Sequence, residues 1–152
     1  MVRQKNMADK TFILKTYNRF TVSSAYTFIV MNIDSLSYWN KVGAIVAKFP
    51  GAEAGSSYGT PAFNVNKKLF VRLKENGKTI VVFTNERDKW MKQQPETFFI
   101  TDHYKNYPMM LIDMVTVKNK ELERLLLASW QLKAGERLLQ EIKKTSLKKG
   151  LP

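Results

Sequence analysis

An α+β domain is the fold class this sequence predicts: an antiparallel sheet with helices packed on it in two layers, in the order α-β-β-β-α-β-β-α. Three observations carry that expectation. Apolar runs of strand length follow one another across short turn signals, and hairpin-linked runs of this kind pair antiparallel. Segments of helical period stand before, between and after them. Finally, 152 residues that are 44% hydrophobic and 12% aromatic are enough for one core and too few for two.

The first helix spans 34–49. Asp34, Ser35 and Ser37 are acceptable caps, Tyr38, Val42, Ile45 and Phe49 recur at helical spacing, and Trp39 and Val46 widen the stripe. Pro50-Gly51 stops it. Residues 52–60 are small and glycine-bearing, which predicts a loop. Strands follow over 62–66 and 68–74, joined by a tight turn near Asn66 and Lys67, and then over 78–84. Asn76-Gly77 between two apolar runs is a strong hairpin signal, because both residues tolerate positive φ. Asn85 caps a short helix over 86–94 that Pro95 ends. Two more strands, 97–100 and 109–117, flank a tyrosine-rich loop at 101–108. The last helix starts near Asn119 with Leu122, Leu125, Leu126 and Ser129 on one face, and Leu127 and Trp130 broaden it. Gly135 predicts a bend, after which Leu138, Leu139 and Ile142 continue an amphipathic turn.

The domain therefore covers 31–142. Residues 1–30 read as an extension or a mis-assigned start, since Met31 directly precedes the first clear helix signal. Residues 143–152 read as a frayed basic tail carrying Lys143, Lys144, Lys148 and Lys149.

Composition removes several kinds of chemistry. Zero cysteines exclude disulfide scaffolds, thiolate metal sites and thiol catalysis, and the single histidine, His103, excludes His-rich metal motifs. Gly55-Ser56-Ser57 and Gly59 lack the Lys-Ser/Thr that a phosphate-cradling loop needs, and Asp88, Asp102 and Asp113 form no recognisable metal set. His103 beside Asp102 and Tyr104 invites a general-base reading, against which stands the plainer one of loop residues anchoring an aromatic turn. The expectation is a protein that is not an enzyme and uses no cofactor and no metal. No apolar run reaches the ~18–20 residues of a membrane span, so a cytoplasmic protein without a membrane partner is expected. Basic residues number 25 against 13 acids, a net charge of +12 that favours an anionic partner.

The hairpin carries the most informative pattern. A two-residue turn at Asn76-Gly77 sets Leu73 opposite Ile80 and Val71 opposite Val82 on one apolar face. The other face then carries Lys68, Phe70, Arg72 and Lys74 against Thr79, Val81 and Phe83, extended by Lys67 and Lys78. Cations that neutralise phosphates, interleaved with rings that stack on bases, suit nucleic acid. The competing reading is a solvated sheet face, or one covered by another element or a second subunit. Tyr104, Tyr107 and Pro108 form a rigid loop that is either a recognition surface or a plug for the sheet edge.

Phe49-Pro50-Gly51, Tyr58-Gly59-x-Pro61-x-Phe63 and Lys68-x-Phe70 resemble the opening of the MmcQ/YjbR family. Pro95-x-x-Phe98-Phe99, His103-Tyr104-x-x-Tyr107-Pro108 and a late Trp130 resemble its second half, so the likeness covers roughly 34–140. It implies a two-layer α+β fold like that of secretion chaperones. It also implies DNA binding through a double wing, with the wings at the Asn66-Lys67 turn and the Asn76-Gly77 hairpin and the Tyr104 loop nearby. The family offers no catalytic residues to carry over. The chain departs from the pattern in residues 1–30 and in Ala134-Gly135, where relatives commonly have Ala-Pro.

The expected function is thus DNA binding with weak sequence preference, through phosphate contacts from Lys67, Lys68, Arg72, Lys74, Lys78 and Lys105. Phe70, Phe83 and Tyr104 are the stacking candidates. The alternative is a protein-interaction module resembling secretion chaperones, compatible with a homodimer, in which Phe70 and Phe83 lie in an interface. A third reading, an enzyme, needs His103, Tyr58 and an acid to converge.

Overall fold

In the computed structural model of the protein, residues 33–148 are described. The expectations for 1–30 and for the end of the tail fall outside them. Helix α1 (Ile33–Val46) leads into strands β1 (Ala52–Ser57), β2 (Thr60–Val65), β3 (Lys68–Leu73) and β4 (Thr79–Phe83). Helix α2 (Arg87–Gln93), β5 (Phe98–Phe99), a 3-10 turn (Asp102–Tyr104), β6 (Met109–Asp113) and α3 (Asn119–Lys148) complete the chain. One open six-stranded sheet runs β1-β2-β3-β4-β6-β5, and each neighbouring pair is antiparallel. Among the described residues, no helix is long and apolar enough to cross a membrane.

The register explains the layers. Val71, Val82 and Met110 align across β3, β4 and β6, as do Leu73, Ile80, Ile112 and Phe98 one step along. These side chains form one buried cluster with Val42 and Val46 of α1, Trp90 of α2, and Leu122, Leu125, Leu126 and Trp130 of α3. All three helices thus cover the same face. The opposite row, Arg72, Val81, Leu111 and Phe99, lies on the other face. There Val81 and Leu111 are buried under Tyr104 in a second, smaller cluster.

Segment 52–60, expected as a loop, is instead an edge strand and the tight turn that ends it. Tyr58 and Gly59 both have positive φ, 52° and 74°, and Ser57 pairs with Thr60, the geometry of a two-residue type I′ hairpin. Small side chains hid the strand, because period-2 hydrophobicity cannot show where nothing is hydrophobic. The Asn66-Lys67 turn is of the same kind, with φ of 50° and 62° and Val65 paired with Lys68. The β3–β4 register agrees with expectation, Leu73 opposite Ile80 and Val71 opposite Val82, but four residues, not two, separate the last backbone-bonded pair, Lys74 and Thr79. Gly77 N–H donates to the Lys74 carbonyl, and the Asn76 side-chain oxygen accepts from the backbone N–H groups of Lys78 and Thr79. Gly77 (φ 70°) lies against α1, where a Cβ would run into the Ser35 side chain. The last two strands are shorter than expected: β5 keeps two residues, and β6 ends where the Asp113 carboxylate accepts from the Val115 N–H.

A bulge alters β3. Phe63 pairs with Val71 while the next residue, Asn64, pairs with Leu69, so Phe70 is an extra residue on its strand. Its ring turns into the main core and is 0% exposed. On the β4 side, the Ser129 hydroxyl of α3 donates to the Phe70 carbonyl (2.6 Å) and accepts from the Phe83 N–H (3.0 Å), bridging the two strands where their ladder stops. Helix α3 itself breaks at Gly135 (φ 78°, ψ 155°), the bend the sequence predicts. The Asn66 side-chain amide donates to the Ala134 carbonyl, so the β2–β3 turn caps the helix at its kink. The helix continues past the expected tail boundary to Lys148.

Ser129→Ala removes a donor and an acceptor from buried backbone groups at once. Urea denaturation is expected to show a loss of about 1–3 kcal/mol with an unchanged m-value.

Candidate nucleic-acid interface

The six expected phosphate ligands do not share a face. Antiparallel pairing puts the Asn66-Lys67 turn at the start of β3 and the Glu75–Lys78 loop at its end, so the two expected wings point away from each other along the sheet. Six residues of strand separate them, roughly 20 Å at about 3.3 Å per residue. The hairpin tip that lies beside the Glu75–Lys78 loop is Tyr58-Gly59, because β2 begins where its neighbour β3 ends.

At the Asn66-Lys67 end, Lys67 and Lys68 are exposed. Lys133 of α3 joins them, its Nζ 3.5 Å from the centroid of the half-buried Phe83 ring. Burial, and after it the charge of neighbouring Lys68, hold the Lys133 ammonium below the ordinary lysine range. Among the described residues, Lys67, Lys68 and Lys133 form no ion pair with a carboxylate. Lys133 escaped the sequence reading, although a signal existed: it lies four residues after Ser129 and so shares that residue's sheet-facing side.

At the other end the cation is inside. Arg72 is only 5% exposed. Its NH1 donates to the Glu75 carboxylate (3.0 Å), the Thr60 hydroxyl (3.3 Å) and the Leu73 carbonyl (3.3 Å), and its NH2 to the Tyr104 hydroxyl (2.8 Å). The Tyr58 ring covers the guanidinium, 5.0 Å from Cζ to centroid. Lys74 leans on the Tyr104 ring and lies 3.8 Å from Glu75. Partial burial pushes the Glu75 carboxyl up, but hydrogen bonds from its own backbone and from Arg72, with the charges of Arg72 and Lys74, outweigh it and hold the group below its ordinary range. Lys78 is exposed on the loop tip.

Three expectations are therefore corrected. Phe70 is a core residue because the bulge rotates it inward, so its ring cannot stack on a base. Arg72 is an internal tie with its charge answered by Glu75, not an open phosphate ligand. Tyr104, 4% exposed, plugs the second face and anchors Arg72. Phe70 is covered by the core of its own chain, and Lys133 lies over the half-buried Phe83 ring. Arg87 holds the tyrosine-rich loop through the carbonyls of Tyr104, Lys105 and Tyr107. Lys105 is exposed on that loop and lines a shallow polar cleft with Asn85, Asp88 and Tyr107. His103 is exposed on the 3-10 turn, its ring packed on Tyr104 and Tyr107, and Tyr58 is 81% exposed on its hairpin tip. Neither is enclosed in the way the enzyme reading requires.

A model of the family described as YjbR matches residues 47–132, more than half of the chain. The chain belongs to the YjbR family. Neither the curated proteins nor the solved structures gave a match. The YjbR region contains the whole sheet, α2 and the part of α3 that carries Ser129, and it ends just before Lys133 and the kink. Helix α1 and the post-kink segment flank it.

Because the Glu75 carboxyl is depressed in the folded protein, the stability it contributes is present above the ordinary carboxylate range and is lost as pH falls through the folded value. Glu75→Gln is expected to be less stable than wild type at neutral pH and equal to it at acid pH. Thermal melts across that range check the convergence.

Proposed function

We propose that this YjbR-family protein is a cytoplasmic, non-catalytic module that binds duplex DNA by its phosphate backbone at the Asn66-Lys67 end of the sheet. The observation that supports the reading is the Lys68–Lys133 pair. The Lys133 ammonium is partly buried against Phe83 and feels the charge of exposed Lys68, and no carboxylate is paired to either among the described residues. Like charges so placed repel, and a phosphodiester oxygen between them turns that repulsion into two attractions. Lys67 on the turn tip extends the grip, and the net charge of +12 steers a polyanion toward the molecule.

The other end contributes less to duplex binding. Arg72 and Lys74 already face Glu75, so they have little counterion atmosphere to release. Ammonium groups on turns and helices contact backbone, not base edges, which accords with weak sequence preference.

A salt titration of duplex binding tests the reading. The log–log plot is expected to fall steeply, and the Lys68→Gln/Lys133→Gln double variant to flatten the slope by about 1, the share of one phosphate. Lys78→Gln, at the far end of β3, is expected to leave the slope unchanged. A slope near zero, or no binding at ~50 mM salt, overturns it.

A further inference from the structure

Tyr58 is the least economical residue in its turn. Its φ of 52° belongs to the left-handed region, where bulky L-residues are uncommon and Asn or Gly is at home. Burial does not explain the choice, since the side chain is 81% exposed. What the conformation achieves is placement: the ring lies over the Arg72 guanidinium, 5.0 Å from Cζ to centroid. That guanidinium cannot drift, being tied to Thr60, Glu75, the Leu73 carbonyl and Tyr104. Thr60 is in turn bonded to the Ser57 carbonyl across the same hairpin tip. One face of the ring therefore rests on a fixed cation and the other is open to solvent.

We propose that Tyr58 is a stacking platform for an unpaired nucleic-acid base, a role that rests on the nucleic-acid reading above and extends it from duplex to single strands. A cation beneath the ring draws π-density toward itself. The outer face is left favourable to an electron-rich planar partner such as a purine, and less so to a second cation. Exposed Lys78 stands on the neighbouring loop, without a carboxylate partner among the described residues, where a backbone phosphate flanking the stacked base can be met. Glu75 is the one acid on that loop, and Arg72 and Lys74 already engage it. A base inside an intact duplex presents no open face, so the ligand is a single strand or a frayed end.

The test uses the full chain, a short oligothymidine carrying one 2-aminopurine, and a blunt duplex. The expected result is quenching of the 2-aminopurine on binding, and a loss of roughly tenfold in single-strand affinity for Tyr58→Asn with duplex affinity unchanged. Asn accepts the turn, so thermal stability should not fall. Tyr58→Trp, which keeps a stacking surface, should retain single-strand affinity. Wild-type single-strand affinity in Tyr58→Asn, with duplex binding intact, overturns the platform and leaves the duplex reading standing. An equal loss on both ligands overturns it too, because the ring would then not select unpaired bases. Absence of wild-type binding to either ligand overturns the nucleic-acid reading and the platform with it.

Discussion

The fold's functional geometry depends on one extra residue in β3 and the hydroxyl that holds it there. Without a bulge, Lys68, Phe70, Arg72 and Lys74 would share a face by strict alternation. With Phe70 opposing no residue of β2, the alternation slips by one: Phe70 joins the helix-covered core, and Lys68, paired with the core residue Val65, moves to the face that α3 covers. Arg72 and Lys74 remain under Tyr104. Ser129 makes the slip affordable by satisfying the Phe70 carbonyl and the Phe83 N–H that the interrupted ladder leaves without strand partners.

The two ends of the sheet acquire opposite electrostatic characters as a result. At one end a guanidinium is withdrawn from water and answered by a carboxylate, two hydroxyls and a carbonyl. Its work there is mechanical, tying β2, β3, the β3–β4 loop and the tyrosine-rich loop together. At the other end, Lys67, Lys68 and Lys133 gather without an ion pair to a carboxylate among the described residues. Charge alone therefore does not mark a binding surface. What matters is whether the cation already has a partner, since only an unanswered one gains from a phosphate.

Much of the scaffold was legible because its signals are local. Asn76-Gly77 and the flanking β-branched residues gave the β3–β4 register even though the loop is longer than a two-residue turn, since both loops preserve the same pairing. Gly135 breaks the last helix as expected, whereas the first helix ends at Val46, three residues before the Phe49 expected to close it against Pro50-Gly51. Strand β1 was not legible, because Ala, Gly and Ser carry no hydrophobic period and an aromatic residue opens its turn. The site was half legible. Lys67 and Lys68 were recognisable as exposed cations, whereas the fate of Arg72 depends on Tyr104, 32 positions away, and that of Lys68 on a bulge that no local signal announces. A family resemblance could supply the order of elements but not which hairpin tips stand side by side.

The claim that this bulge sorts the basic residues, leaving one end of the sheet as the phosphate-binding surface, is most directly tested by amide chemical-shift mapping during titration with a short duplex. The account predicts that the perturbed amides cluster at 66–69, at Phe83 and Thr84, and around Lys133, while those of Arg72, Val81 and Leu111 stay in place. Perturbations centred on Arg72 and its neighbours across the second face would contradict it.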